Sequence, residues 1–356
     1  MENILNLTKS EEERAQELIE KYLFVDASQA THQDEFDDVL MGQMNKSGLD
    51  CVHVTISPAW NMETTLKSIC DWRNIVYNLG EEEIKIVTKA DEIYKAKEEG
   101  RKTIILGLQD SPIGTDLRLL EILKLCEVKI YQLSYNHRNL IADGAGEKTN
   151  GKLSNFGVQV VEELNRLGMI VDLSHVGIAS TFDAMEISKS PVIFSHVGVR
   201  TLCDHFRCIT DEQIKALAEK RGMIGIVALA GFLKSDGYEK GTRIEDYLNH
   251  LDYIVELVGI DFVGIGSDIR TQEEASSFTH HKGSGRLAKG IVRKELQKKP
   301  PAWAGLSAES KYPKGMINVG EFGNITRGLV SRGYSDQEIK KILGENFLRV
   351  FKKVCG

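Results

Sequence analysis

Three features of the chain predict a closed parallel (β/α)8 barrel. Short apolar, β-branched runs recur about eight times, amphipathic stretches of helical length separate them, and polar, metal-capable side chains stand where several runs end. A parallel strand needs a crossover before its neighbour, and about eight such units without an evident linker close on themselves. A barrel builds its site from residues at the C-terminal ends of its strands.

The runs that read as strands are 22–26, 51–56, 103–108, 129–133, 169–173, 192–195, 223–227 and 262–266. Between them, 155–167 and 211–220 place apolar residues at three- and four-residue spacing, the period of a helix with one buried face. Asp211 and Glu212 suit the positive end of a helix dipole. Gly168 and Gly222 stand where a helix stops and a strand begins. Near the N-terminus, Ser10 followed by Glu13 reads as a cap with its partner at N3. A doubly wound sheet is the weaker alternative. No G-x-G-x-x-G follows the first run, and the polar strand ends spread around the whole chain.

The expected organisation is one barrel domain over 1–356. An N-terminal helix lies within 1–21, two closing helices within 321–351, and a lid-like insertion at about 271–314. That insertion holds His280, His281 and Trp303, and it follows a late strand, which puts it on the active face. From Lys282 to Lys299 it carries seven Lys or Arg against Glu295. A solvated helix face and a docking surface for an anionic group both fit this stretch.

Composition excludes several classes. With 42% hydrophobic and 27% charged residues, the 356-residue chain is an ordinary globular protein with material for a deep core. A net charge of −7 argues against a nucleic-acid partner. Six scattered cysteines without a CxxC pair fit a reducing compartment. There is no apolar leader, and no run nears the ~18 apolar residues of a membrane span. The expectation is a cytoplasmic protein with no membrane or nucleic-acid partner.

The strand ends carry the chemistry. Two runs end in histidine, Met169-Ile170-Val171-Asp172-Leu173-Ser174-His175 and Pro191-Val192-Ile193-Phe194-Ser195-His196, and a third ends in Gly266-Ser267-Asp268. Two earlier ones end in Asp26-Ala27-Ser28-Gln29-Ala30 and Gly107-Leu108-Gln109-Asp110, which offer far poorer ligands. Replacement ligands are hard to find. His32 and Asp34 lie too far past Asp26, His280 and His281 are adjacent and diverge, and His53 falls inside a strand as a satisfied barrel histidine. Cys208 reads as a buried inert thiol.

The stretches 165–175, 191–196, 264–268 and Ile342-Leu343-Gly344-Glu345-Asn346-Phe347 onward strongly resemble the renal (membrane) dipeptidase family, peptidase family M19. The likeness runs from about Val25 to Phe351. It implies an amidohydrolase-type barrel of the metallo-dependent hydrolases, usually a homodimer, whose active members hydrolyse dipeptides with two zinc ions. Those members begin with Asp-Gly-His-x-Asp, whose His and second Asp hold the first zinc; these places here are Ser28 and Ala30. The bridging glutamate falls on Gln109, while the second zinc's ligands are retained as His175 and His196. The resemblance further implies Arg207 as the grip on the substrate carboxylate and Asp268 as the acid that assists proton transfer or binds the substrate amine. Tyr135 and Asn136 stand at a substrate-contacting strand end. Two neighbours depart from the pattern, Cys208 for Asn and Ile269-Arg270-Thr271 for Phe-Asp-Gly.

These substitutions change the chemistry to be expected. Gln109 is neutral and offers one oxygen, so it bridges two dications poorly, and Ala30 cannot bind at all. A binuclear centre is not expected. One zinc ion on His175 and His196, completed by Gln109 or Asp268 and an open water position, remains a workable arrangement, as does a metal-free pocket. Three functions stay open. The first is a dipeptidase-like enzyme of altered, mononuclear or metal-free chemistry on a dipeptide or amino-acid derivative. The second is residual zinc-dependent dipeptide hydrolysis, and the third is a non-catalytic binding protein.

Overall fold

The computed structural model describes residues 5–31, 33, 36–56, 61–270 and 306–356. His32, Asp34, His280, His281, Trp303 and the basic 282–299 stretch lie outside the described residues. The described chain forms strands β1 (Val25–Gln29), β2 (Cys51–Thr55), β3 (Ile84–Ile86), β4 (Lys102–Leu108) and β5 (Val128–Gln132). They continue as β6 (Ile170–Asp172), β7 (Ile193–Val199), β8 (Cys208–Ile209), β9 (Met223–Ile226) and β10 (Val263–Ile265). Eight of them run parallel in the order β1-β2-β4-β5-β6-β7-β9-β10, with β3 beside β4 and β8 beside β7. This is the (β/α)8 barrel that the sequence predicts.

Alternation along each strand sorts side chains into two apolar layers. Cys51, Ile105, Ile130, Ile170, Ile193 and Met223 point into the barrel and form one cluster. Their chain neighbours Val52, Ile104, Tyr131, Val171, Phe194 and Ile224 point outward and pack in a second cluster with Trp72, Leu120, Leu164 and Leu217 of the helices. The inner cluster also takes in Phe347, Leu348 and Phe351 of the last helix, which plug the end where the strands begin. The site is left to the opposite end.

The first strand begins three residues later than the apolar run suggests, and it ends in the fully buried polar residues Ser28 and Gln29. Polarity here marks the approach to the site rather than the end of the strand. The seam between β1 and β10 is closed by a carboxylate. Asp26 Oδ1 accepts from the Ser267 N–H at 2.8 Å and from the Ser28 N–H at 3.2 Å, while Ser267 Oγ donates to Asp26 Oδ2 at 2.5 Å. Backbone bonds follow, from Asp268 N to Ser28 O at 2.8 Å and from Ala30 N to Ile269 O at 3.3 Å.

Local signals decide the helix ends. The first helix, Lys9–Lys21, is capped by Thr8 with Glu11 at N3, two residues ahead of the expected Ser10 and Glu13. Both pairs have the right spacing, and the earlier one wins because it adds hydrogen-bonded residues to the same amphipathic face. The helix Asn155–Leu167 ends on Gly168 in the left-handed region, as expected. After the helix Asp211–Glu219 that conformation falls on Arg221 instead of Gly222. Gly222 serves packing, since a Cβ there would strike Val192 O. Near the C-terminus, Asp336–Lys340 continues through a π-helical turn, Lys341–Glu345, into Asn346–Cys355.

Candidate active site

Strand β6 ends in Asp172-Leu173-Ser174-His175 and β7 carries Ser195-His196, so two histidines arrive side by side at the C-terminal mouth. His175 is 6% exposed and His196 fully buried. Their Nε2 atoms stand 2.8 Å apart. Burial, reinforced by the Arg207 charge, holds both imidazoles well below the usual histidine range, so both are neutral at pH 7.

Hydrogen bonds fix the proton of His196. Ser195 Oγ donates to Asp172 Oδ2 at 2.5 Å, so its contact with His196 Nδ1 at 2.8 Å must run from the ring N–H to the hydroxyl oxygen. His196 Nε2 therefore presents a lone pair. His175 Nδ1 meets Asn136 Oδ1 at 2.8 Å. With its proton there, His175 also presents a lone pair at Nε2, and the two point at a common place as two ligands of one cation do. With its proton on Nε2, the 2.8 Å contact is a plain hydrogen bond. An outer partner that sets the tautomer of a ligand histidine is a recurring device of metal sites.

Around this pair the predicted residues fall into two groups. Tyr135 stacks on His175 with ring centroids 4.1 Å apart, and Asn136 bonds its ring. Arg207, 3% exposed, donates from Nη2 to His196 O at 3.2 Å and lies over the Phe232 ring at 5.6 Å. Its Nε is buried and finds no partner among the described residues. Burial lowers its pKa, which measures the cost of keeping that cation dry. His175 and Arg207 line a cavity of about 350 Å³, large enough for a dipeptide-sized ligand.

The second group is Ser28, Gln109 and Asp268. Gln109 Nε2 donates to Ser28 Oγ at 3.5 Å, and the Gln109 side chain favours the ionised form of Asp268. Ala30 adds only its backbone bond to Ile269. Asp268 is half-buried, and burial pushes its carboxyl up to about 7 against the opposing pull of Arg207. Electrostatic attraction between Arg207 and Asp268 links the two groups, although Asp268 does not line the Arg207 cavity. Three site residues, Asn136, His175 and Asp268, hold positive φ angles of 60°, 66° and 55°. Such backbone costs about 1–3 kcal/mol at a non-glycine residue and gathers at functional sites.

Sequence reasoning assigned no role to Asp172, which orients His196 through Ser195. The signal was present as a buried acid three residues before His175. It also treated His53 as satisfied. His53 Nδ1 donates to Ala27 O at 2.6 Å, yet its buried Nε2 has no partner among the described residues. Among the described residues, no group of three or more His, Cys, Asp or Glu is placed to hold a metal ion.

A parallel barrel with a histidine pair, an arginine and an acid at its C-terminal mouth defines an amidohydrolase-like protein. The chain matches the family described as membrane dipeptidase (peptidase family M19) over residues 18–300 and 303–355, and it belongs to that family. An uncharacterized dipeptidase of Schizosaccharomyces pombe is 29% identical over 298 residues, 82% of this chain and 61% of the relative. A dipeptidase of Claviceps purpurea is 28% identical over 83% of this chain and 60% of its own length. The chain thus spans about three fifths of the length of these relatives. Among solved structures, an amidohydrolase from Pseudomonas aeruginosa is 30% identical with a TM-score of 0.83, covering 96% of this chain and 99% of that one. A metallo peptidase from Rhodobacter sphaeroides liganded with a phosphinate dipeptide mimic shares the fold, at 17% identity over 94% of this chain and 99% of that one, with a TM-score of 0.75.

Proposed function

We propose that this chain is a dipeptidase-family enzyme acting on a dipeptide or amino-acid derivative without the family's two-zinc centre. The observation that carries the reading is the buried Arg207 guanidinium, whose Nε has no partner among the described residues and which borders a cavity of substrate size. A guanidinium held dry at the edge of a cavity is costly to keep charged, and a substrate carboxylate in that cavity offsets the cost with a charge-assisted bond.

The donor set does not fit two dications. Where the first zinc and the bridge belong, Ser28 and Gln109 are neutral and Ala30 has no donor atom, so no step runs through such a pair. Two imidazole lone pairs are fewer than the three protein ligands of an ordinary catalytic zinc. In this reading Arg207 holds the carboxylate, Tyr135 and Asn136 keep His175 in place, and Asp268 exchanges a proton with the substrate. A carboxyl group that titrates near 7 is suited to both directions of that transfer.

A second reading, hydrolysis with one zinc ion, is favoured by the convergence of the His175 and His196 lone pairs, with Gln109 or Asp268 as a further ligand. The cytoplasmic location, the homodimer and the single domain over 1–356 are part of the proposal. All six cysteines are free, which supports the reducing compartment. No described helix is long and apolar enough to cross a membrane.

Calorimetric titration with L-alanyl-L-alanine tests the carboxylate grip. Arg207→Ala should weaken binding about 30- to 1000-fold, the range for losing a buried charge-assisted contact. Unchanged affinity would remove Arg207 from substrate binding.

A further inference from the structure

The cavity beside His175 is lined by a second arginine, Arg200, on the segment that follows β7. Arg200 Nη2 donates weakly to His205 O and Phe206 O, at 3.4 and 3.3 Å. Like that of Arg207, its Nε is buried and has no partner among the described residues. A guanidinium has five N–H donors arranged to take a carboxylate or phosphate by two parallel bonds. Two arginines therefore line one space of about 350 Å³.

The charges that line the cavity, Arg200, Arg207 and Lys148 against Glu147 and Asp204, leave an excess of positive charge. Lys148 stands exposed at the rim. Of the acids, Glu147 is occupied, accepting from Arg138 N at 3.2 Å and from Lys148 N at 2.9 Å. Asp204 is exposed and also lines the cavity. A single substrate carboxylate satisfies one guanidinium and leaves the other unpaired.

We propose that Arg200 is a second anion-binding residue and that the substrate carries two anionic groups. The chemical class is a dipeptide or amino-acid derivative with an acidic side chain. Its backbone carboxylate meets Arg207 and its second carboxylate meets Arg200. The proposal rests on Arg207 holding the first carboxylate, and its test separates the two claims.

Wild type, Arg200→Gln, Arg200→Lys and Arg207→Gln are titrated calorimetrically with N-acetyl-L-glutamate and with N-acetyl-L-glutamine, which differ by one charge. Wild type should prefer the diacid at least about tenfold, close to 1.4 kcal/mol. Arg200→Gln should erase that preference and leave the glutamine compound's affinity in place, while Arg200→Lys keeps part of it. Arg207→Gln should weaken both compounds. Equal wild-type affinities, no detectable binding of the diacid, or equal losses for both compounds in Arg200→Gln would each overturn the proposal; the last would leave Arg200 as a brace for the 205–206 carbonyls. If Arg207→Gln alone leaves both affinities unchanged, the Arg207 reading falls instead.

Discussion

His175 Nε2 and His196 Nε2 face each other at 2.8 Å at the mouth of the barrel, and the proton on the far side of His196 is fixed by Ser195 and Asp172. Two imidazoles on one zinc at about 2.0–2.1 Å each have nitrogens roughly 3.3 Å apart in tetrahedral geometry. The pair is thus within a few tenths of an ångström of holding one ion, and nothing comparable stands at Ser28, Ala30 and Gln109. Elemental analysis of purified protein should find no more than one zinc per chain, lost on His175→Ala. Ser28→His, Ala30→Asp and Gln109→Glu together should raise the count towards two. Two tightly held ions in the unaltered chain would sink the view that the first site is gone.

Asp172 is the keystone of that pair. Its carboxylate is fully buried and accepts the Ser174 N–H and the Ser195 N–H, each at 3.0 Å, besides the Ser195 hydroxyl. Asp172→Asn keeps the shape but puts an NH2 or a neutral oxygen where three donors converge. A loss of about 2–4 kcal/mol in urea unfolding is expected, as for breaking a buried charged network. Nitrogen NMR should also show a changed His196 tautomer population. A variant equal to wild type in both measurements would contradict the assignment.

Asp26 makes stability depend on pH in an unusual direction. Burial raises its folded-state pKa to about 6, well above the ordinary value of 3.8, despite the hydrogen bonds from Ser267 and Ser28. The folded state therefore holds this proton more tightly than the unfolded chain does. The contribution is fully present below about pH 4 and is lost as pH rises through about 6, a window worth about 3 kcal/mol. Asp26→Asn cannot titrate, so the difference in unfolding free energy between the two proteins should move in the variant's favour from pH 4 to pH 7. A pH-independent difference would mean that Asp26 ionises in the folded state as it does in water.

Much of this was legible in the sequence, because a buried parallel strand writes itself as an apolar β-branched run. All eight barrel strands fall on predicted runs, and only the three-residue β3 and two-residue β8, too short to leave a pattern, escaped notice. The ends of β1 misled for a physical reason: Ser28 and Gln29 are polar yet fully buried. At the site, His175 and His196 were visible as types at strand ends, and Arg207 only through the family resemblance. Tautomers are set by which hydroxyl or carboxylate lies beside a ring, and Asp172 is paired to Ser195 across strands. No spacing along the chain encodes that. Arg200 was missed because an arginine seven residues before Arg207 looks like any surface charge until its Nε is found buried.

The β7–β9–β10 corner that places His196 depends on two glycines with no side chain to intrude. A Cβ on Gly225 or Gly266 would run into the Ser195 carbonyl oxygen, which is backbone and cannot swing away. The residue after that carbonyl is His196. Gly266→Ala should therefore push β7 and β10 apart, costing more than the roughly 1–3 kcal/mol of ordinary overpacking and displacing His196 with Ser195. Gly42→Ala is the matched control, since its helix Asp38–Ser47 leaves nothing within 4 Å of the new Cβ. That change should be neutral or stabilise by about 0.5–1 kcal/mol. The measurement is the thermal midpoint of both variants beside the histidine NMR signals. A Gly266→Ala protein as stable as the control, with His196 unmoved, would show that the corner has slack and that the glycine is not what sets the histidine pair.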